Sequence, residues 1–271
     1  MRRRYARELL VELAGVARIG GVLCLLEFLA RLMAHAAAVA RARSLAVVDA
    51  AMGMRTRVFR AGDVSLRVRG AFGGAREIYG RNVYGAVPGF ELRAGDMVVD
   101  LGANVGLFTV LAARHGARVL AVEAQSGFVD EIQRHARLND CTDRVTVEVG
   151  LLGAGTGVFA DAGRLRTASH YGSQPPPLTL AELLRRHRVD RVDLLKVDIE
   201  GAEFGLFDGD LGWLARVRRI AMEVHAEFGD PARLARRLAD HGFAVSLVDN
   251  QGATVPAITE PSGYLFARRE A

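Results

Sequence analysis

The chain has 271 residues, half of them apolar, which is enough for one sizeable core and an extension. Its formal charge is +5, but residues 1–60 hold eleven Arg against Glu8, Glu12, Glu27 and Asp49, a local excess of +7 that leaves the remainder at −2. The basic character therefore belongs to the N-terminal extension, where it suits anionic lipid, nucleic acid, an acidic partner or simply a solvated helix. Two cysteines, Cys24 and Cys141, exclude a disulfide framework and a cysteine metal site, and fit a reducing, cytoplasmic setting.

The opening Met-Arg-Arg-Arg resembles the start of a signal peptide. Arg18, Glu27 and Arg31 interrupt the apolar stretch downstream of it, and the longest charge-free apolar run, Ile19–Leu26, falls short of the roughly 20 residues a membrane span needs. Secretion is not expected. Residues 5–43 read as two helical pieces separated by Gly20-Gly21. In the second piece Glu27, Arg31 and His35 recur at i, i+4 and i+8, a narrow polar stripe on an otherwise apolar cylinder. Such a helix must bury most of its surface on the catalytic body, on a second subunit or on a membrane.

Residues 56–60 and 64–69 are β-patterned runs joined by Ala-Gly-Asp, a hairpin signal. Residues 70–95 are glycine-rich and irregular. From there the pattern alternates. Strands are predicted at 97–101, 118–122, 145–149, 192–197, 217–224, 243–248 and 264–267, and helices at 105–114, 128–139, 179–187 and 231–241. Thr179-Leu-Ala-Glu182 is a capping box, and Pro175-Pro176-Pro177 ends an irregular stretch that cannot be helix interior. Strands alternating with helices imply an α/β fold, a doubly wound and mostly parallel sheet with helices on both faces. The predicted organisation is an N-terminal helical extension, residues 1–55, followed by one domain, residues 56–271.

Ligands of such sheets bind at the carboxyl ends of strands where the winding reverses. The strand at 97–101 runs into Asp100-Leu-Gly-Ala-Asn-Val-Gly106 and then a helix. Gly102 and Gly106 allow a tight turn and a close ligand approach. A dinucleotide fold wants G-x-G-x-x-G, which is missing, and the carboxylate Asp100 at the strand tip would repel a pyrophosphate. A cofactor with an ammonium and a sulfonium would instead be attracted. The next strand ends at Glu123, an acceptor suited to two ribose hydroxyls. Both carboxylates could merely cap helices, but two on successive strands with glycines between them favour the cofactor.

Four segments carry a family resemblance: Gly95 to Thr109 (GDMVVDLGANVGLFT), Val122-Glu-Ala124, Val192 to Glu203 (VDLLKVDIEGAE), and Met222-Glu-Val-His225, with Glu77-Ile-Tyr79 and Tyr84 upstream. In order and spacing they resemble the FkbM family of methyltransferases over roughly residues 75–250. The resemblance implies the class I, Rossmann-like methyltransferase fold and S-adenosylmethionine as donor. It also implies O-methylation of a hydroxyl on a sugar, glycolipid or secondary metabolite. By match of motif, Asp100, Gly102, Ala103, Asn104, Gly106, Glu123 and Ala124 take the cofactor-binding positions.

A hydroxyl acceptor needs a base within hydrogen-bond reach. Lys196, Asp198, Glu200, Glu203, Glu223 and His225 fall at the fourth and fifth strand tips, and His225, Asp198, Glu200 and Lys196 are the catalytic candidates. Lys196 is the sole lysine beside 35 arginines, which reads either as a selected ammonium or as a structural ion pair with Asp198. His225 is read as a base titrating near neutrality, against the alternative of a core histidine. His170, on the irregular loop, is a weaker candidate. Asp198, Glu200 and His225 could also hold a divalent ion, although nothing in the spacing demands one, and no metal is expected.

The expected partner is a small-molecule or glycan acceptor. The N-terminal helices are expected to contribute peripheral membrane contact or homo-oligomer formation. Two alternatives remain: a nucleic-acid methyltransferase, disfavoured by the acidic Asp198-Ile-Glu-Gly run, and a non-catalytic cofactor-binding module. A dehydrogenase is disfavoured by Asp100 and the missing glycine.

Overall fold

The computed structural model describes residues 2–42, 44–153 and 175–269; the side chains of residues 1–8 are not described. The Ser169-His170-Tyr171 candidate and most of the segment expected to set specificity, 150–178, lie outside the described residues. The chain divides into two compact units, one made of residues 1–83 with 137–140, the other of residues 84–136 and 141–271. This division falls after Val83, where the sequence placed the boundary at 55/56, because the hairpin and the turn following it pack on the N-terminal helix.

In the first unit, helix α1 (Arg2–Ala34) breaks direction at Gly21, whose φ of 68° is left-handed, so the two predicted pieces are present. Short helices α2 (Ala36–Ala42) and α3 (Ala46–Gly53) follow, then the antiparallel pair β1 (Arg57–Ala61) and β2 (Val64–Val68). Helix α4 (Phe72–Ala75) runs into a single π-turn, Arg76–Arg81, in the stretch read as irregular. Phe28, Phe59 and Phe72 stack together in the core. The charges of this unit turn inward: buried Arg76 pairs with Asp49 at 2.8 Å and with Glu12, and Arg57 grips both oxygens of Glu27. Glu27 thus belongs to an internal ion pair.

The stretch Leu9–Ala34 of α1 is long and apolar enough to cross a membrane by length and composition, with a mean hydropathy of 2.0. The charge-free run Ile19–Leu26 understates this helix, whose few charges are widely spaced.

The second unit is an eight-stranded sheet with helices on its faces. Its strands are β3 (Met97–Leu101), β4 (Arg118–Glu123), β5 (Val145–Val149), β6 (Leu194–Val197), β7 (Arg219–His225), β8 (Phe243–Val248), β9 (Thr254–Val255) and β10 (Ser262–Arg269). They lie in the order β5-β4-β3-β6-β7-β10-β8-β9. The first five of these are parallel; β10 is antiparallel to both β7 and β8. The winding moves outward from β3 to β5, then returns to β6 on the other side of β3. The reversal between β3 and β6 is the switch point that opens a crevice at the strand ends.

Helices α5 (Leu107–Arg114), α6 (Val129–Leu138), α7 (Leu180–Arg186), α8 (Glu203–Leu206) and α9 (Pro231–Asp240) make the connections. α7 begins as its sequence demands, with Thr179 Oγ1 accepting from the Glu182 amide at 3.2 Å. α9 starts on an Asp230 cap with Pro231 at its first position. Val99, Leu101, Leu120, Val122, Leu195, Val197, Ile220 and Met222 are buried between the helical layers, which is why the central strands read as continuous apolar runs.

Candidate active site

The β3 tip curls over its neighbour. The Gly102 and Ala103 amides both donate to the Val122 carbonyl at 3.0 Å, and the loop closes with Gly106 donating to the Ala103 carbonyl at 2.8 Å. Gly102 has φ 74°, and a Cβ there would sit 1.7 Å from the Asp198 carbonyl oxygen. The glycine is therefore demanded by the close approach of the β6 tip, in addition to any ligand. Asn104 is also left-handed, at φ 51°.

Glu123, at the β4 tip, is buried. One oxygen accepts from the Asn104 amide at 2.7 Å and the other from the Gln125 amide at 2.8 Å. Burial raises its pKa above the ordinary carboxylate range, and those two amides hold it back. Each oxygen keeps a second lone pair, so the group can accept two more hydrogen bonds.

Asp100 is different. It is fully buried, accepts from Thr109 Oγ1 at 2.6 Å and lies 3.1 Å from Lys196 Nζ. Asp100 and Lys196 are register partners on adjacent parallel strands, which puts both side chains on the same face. This corrects the expectation that Asp100 presents its charge to a cationic ligand, because its carboxylate is enclosed and paired.

Lys196 is equally enclosed at 2 % exposure, and donates to the carbonyls of Gly102 at 2.9 Å and Leu101 at 3.3 Å. Burial opposes its charge, but Asp100 and Asp198 outweigh that and raise its pKa. Of the two readings of the sole lysine, this geometry is that of the structural ion pair, with Asp100 as nearest partner and Asp198 farther off at 3.7 Å.

Asp198 is half-buried at the mouth. Its Oδ2 accepts from the Tyr84 hydroxyl at 2.8 Å. Tyr84 is wedged edge-on between Phe108 and Tyr264, under the Lys196 ammonium, and burial followed by the Asp198 charge pushes its pKa well up. The hydroxyl is therefore a fixed donor.

Glu203 is fully buried and ties the β6 loop to β7. It accepts from the amides of Gly201 at 2.8 Å and His225 at 2.6 Å, and from His225 Nδ1 at 3.1 Å. His225 Nε2 faces Glu200 at 3.6 Å. Burial disfavours the imidazolium, but the Glu203 hydrogen bond and charge prevail and raise the His225 pKa to about 10. This runs against the expectation that His225 titrates near neutrality, because Glu203 favours its charged form.

Glu200 takes a left-handed φ of 54°. Burial of its carboxyl end and the Asp198 charge raise its pKa, although 60 % of the side chain stays open to solvent. The ligand atoms of Asp198, Glu200 and His225 lie within 4.8 Å of one another, so among the described residues this is where an ion could bind.

The strand tips therefore bring together every described candidate, Asp100 and Gly102 to Gly106 at β3, Glu123 and Ala124 at β4, Lys196 to Glu200 at β6, and His225 at β7. Beyond the buried Asp100–Lys196 and Glu203–His225 pairs, Glu123, Asp198 and Glu200 remain as acceptors, a set that fits a cofactor carrying ammonium and sulfonium charges. The family resemblance includes Tyr84 and Thr109 but gives neither a role. Tyr84 stands alone in an irregular stretch with no periodic signal, and Thr109 reads as part of an apolar helix face.

Comparison with known proteins agrees. The model of the methyltransferase FkbM domain matches residues 100–245, more than half of the chain. Similar curated proteins include the AMB antimetabolite synthetase AmbE of Pseudomonas aeruginosa, 28 % identical over 63 % of this chain but only 10 % of the synthetase. The methyltransferase sdnD of Sordaria araneosa is 28 % identical, and the 31-O-demethyl-FK506 methyltransferase FkbM of Streptomyces tacrolimicus is 27 % identical. Each of the latter two aligns over 58 % of this chain and 76 % of its own length. Solved structures that match this chain include a precorrin-6y C5,15-methyltransferase from Geobacter metallireducens, with 13 % identity, TM-score 0.41, and coverage of 70 % of this chain and 87 % of that one. The N-terminal domain of human METTL16 in complex with SAH has 14 % identity, TM-score 0.44, and coverage of 65 % and 62 %. The chain belongs to the FkbM family and is an S-adenosylmethionine-dependent methyltransferase.

Proposed function

We propose that the enzyme O-methylates a hydroxyl of a small secondary metabolite or glycoside, with the cofactor held at the β3 and β4 tips and the acceptor at the β6 and β7 tips. The observation that carries this reading is the group Asp198, Glu200 and His225, which converges beside the switch point of the sheet. The FkbM relative, named a 31-O-demethyl-FK506 methyltransferase, supports a metabolite acceptor methylated on oxygen.

S-adenosylmethionine supplies an electrophilic methyl on a sulfonium. The Glu123 lone pairs accept the ribose hydroxyls, and Gly102 to Gly106 let the backbone approach the cofactor closely. Asp198, kept as an acceptor by Tyr84 and Lys196, orients the acceptor hydroxyl. Glu200, the solvent-open carboxylate with a raised pKa, takes the proton, and the His225 imidazolium offsets the charge left on oxygen. Glu203 holds that imidazolium in place. Alignment and proton removal together fit general-base-assisted displacement.

The test is turnover on a panel of hydroxylated macrolides and glycosides, with the site of methylation located by NMR. Glu200→Gln should lower kcat about 10²–10⁴-fold, while S-adenosylhomocysteine affinity stays within a few-fold. Methylation at nitrogen, or full activity of Glu200→Gln, would overturn the assignment. A salt-sensitive affinity for RNA or DNA would instead favour a nucleic-acid substrate.

A further inference from the structure

We propose that the outward face of α1 after its Gly21 break docks on an anionic phospholipid surface. This goes beyond the catalytic reading and does not depend on it.

The segment is amphipathic in an inverted sense. Val22, Leu26, Ala30 and Met33 follow one another at spacings of three and four, which places them on one helical face, with Leu23 beside them. Val22 is 70 % exposed, Leu23 82 %, Leu26 57 % and Met33 73 %. The opposite face is occupied by protein: Cys24 and Phe28 are buried, and Phe28 stacks on Phe72. The acidic residue of the segment, Glu27, points inward to Arg57. Glu27 is thus held by Arg57 and Arg31 within the unit while the apolar side chains face solvent, a patch that calls for a partner.

The charge distribution selects the partner. Arg2, Arg3, Arg4 and Arg7 precede the patch in sequence, and Arg41 and Arg43 follow it. Of the four acids in residues 1–60, Glu12, Glu27 and Asp49 are held in ion pairs within the unit. An apolar face that arginines precede and follow in the sequence suits a surface of anionic headgroups over acyl chains. Two copies of such a strip would bring like charges together. The helix lies on the bilayer and does not cross it, because Val16, Ile19, Cys24 and Phe28 are already packed against protein.

The experiment is cosedimentation of the full-length protein with vesicles of equal parts phosphatidylglycerol and phosphatidylcholine, compared with phosphatidylcholine alone, at low and high salt. Size-exclusion chromatography with light scattering runs in parallel. Binding to the anionic vesicles, weakened by salt and at least tenfold weaker for Leu23→Glu/Leu26→Glu, is the expected result. Both positions are exposed, so the variant should keep wild-type circular dichroism. Arg2→Gln/Arg3→Gln/Arg4→Gln, which leaves the patch intact, should show the same direction of loss on anionic vesicles. Failure of the wild type to sediment, or equal sedimentation of all variants, would overturn the proposal. So would a dimer that Leu23→Glu/Leu26→Glu converts to monomer without any vesicle binding, since that would make the face a homodimer interface.

Discussion

Lys196→Met is the perturbation whose size the structure fixes best. Met nearly matches the lysine stem in volume, so packing changes little and the charge is what is lost. Asp100 is fully buried, and its remaining donor in the described site is Thr109 Oγ1. Breaking a buried ion pair by removing one partner costs about 3–5 kcal/mol, because the survivor is left without its partner in a poorly solvating interior. The carbonyls of Gly102 and Leu101 also lose a donor. At about 2–4 °C per kcal/mol for a domain of this size, Tm should fall by roughly 6–20 °C. Urea unfolding followed by the fluorescence of Trp213, the sole tryptophan and buried against Phe207, reports on this unit directly. The double variant Lys196→Met/Asp100→Asn removes both charges and should recover at least half of the loss. A loss below about 1 kcal/mol, or a double variant no more stable than the single, would refute the buried-pair reasoning.

Tyr84→Phe removes the hydroxyl that holds Asp198. It should cost about 1.5–3 kcal/mol, typical of a hydrogen bond to a charged group, and lower kcat while S-adenosylhomocysteine affinity is kept; unchanged kcat would detach Tyr84 from the site. Gly102→Ala should yield no soluble folded protein, since its Cβ would overlap the Asp198 carbonyl; a well-folded Gly102→Ala in circular dichroism would contradict the close β3–β6 approach. His225 has a pKa raised from 6.5 to about 10, so the stability it adds is fully present below pH 6.5 and is lost as pH rises through about 10. Thermal melts of wild type and His225→Gln should therefore converge on the alkaline side; curves that stay parallel up to about pH 11 would contradict titration of His225 near pH 10.

The periodic parts of the fold were legible in the sequence. β3, β5 and β8 fall on the predicted residues because their apolar runs are bounded by turn residues, and Thr179 announces α7 by its own cap. The π-turn at Arg76–Arg81 left no periodic trace, since it is fixed by buried Arg76 reaching Asp49 and Glu12, partners distant in the chain. That the candidates converge at the strand tips was likewise legible, because strand tips are set by topology. Protonation and pairing were not. Whether Asp100 meets ligand or lysine, and whether His225 is neutral or charged, depends on Lys196 across a strand pair and on Glu203 folding back from the next loop. The exposed apolar face of α1 was hidden for the same reason, since the sequence assigns Glu27 to an outer polar stripe and Arg57 draws it inward.

Titration calorimetry with S-adenosylhomocysteine tests whether the β3 and β4 tips hold S-adenosylmethionine. Wild type should bind S-adenosylhomocysteine and show no heat with NAD. Glu123→Ala should bind at least tenfold more weakly while its Trp213-monitored unfolding remains cooperative, because the carboxylate that accepts the ribose hydroxyls is gone. Equal affinity of wild type and Glu123→Ala, or NAD binding as tight as that of S-adenosylhomocysteine, would contradict the account.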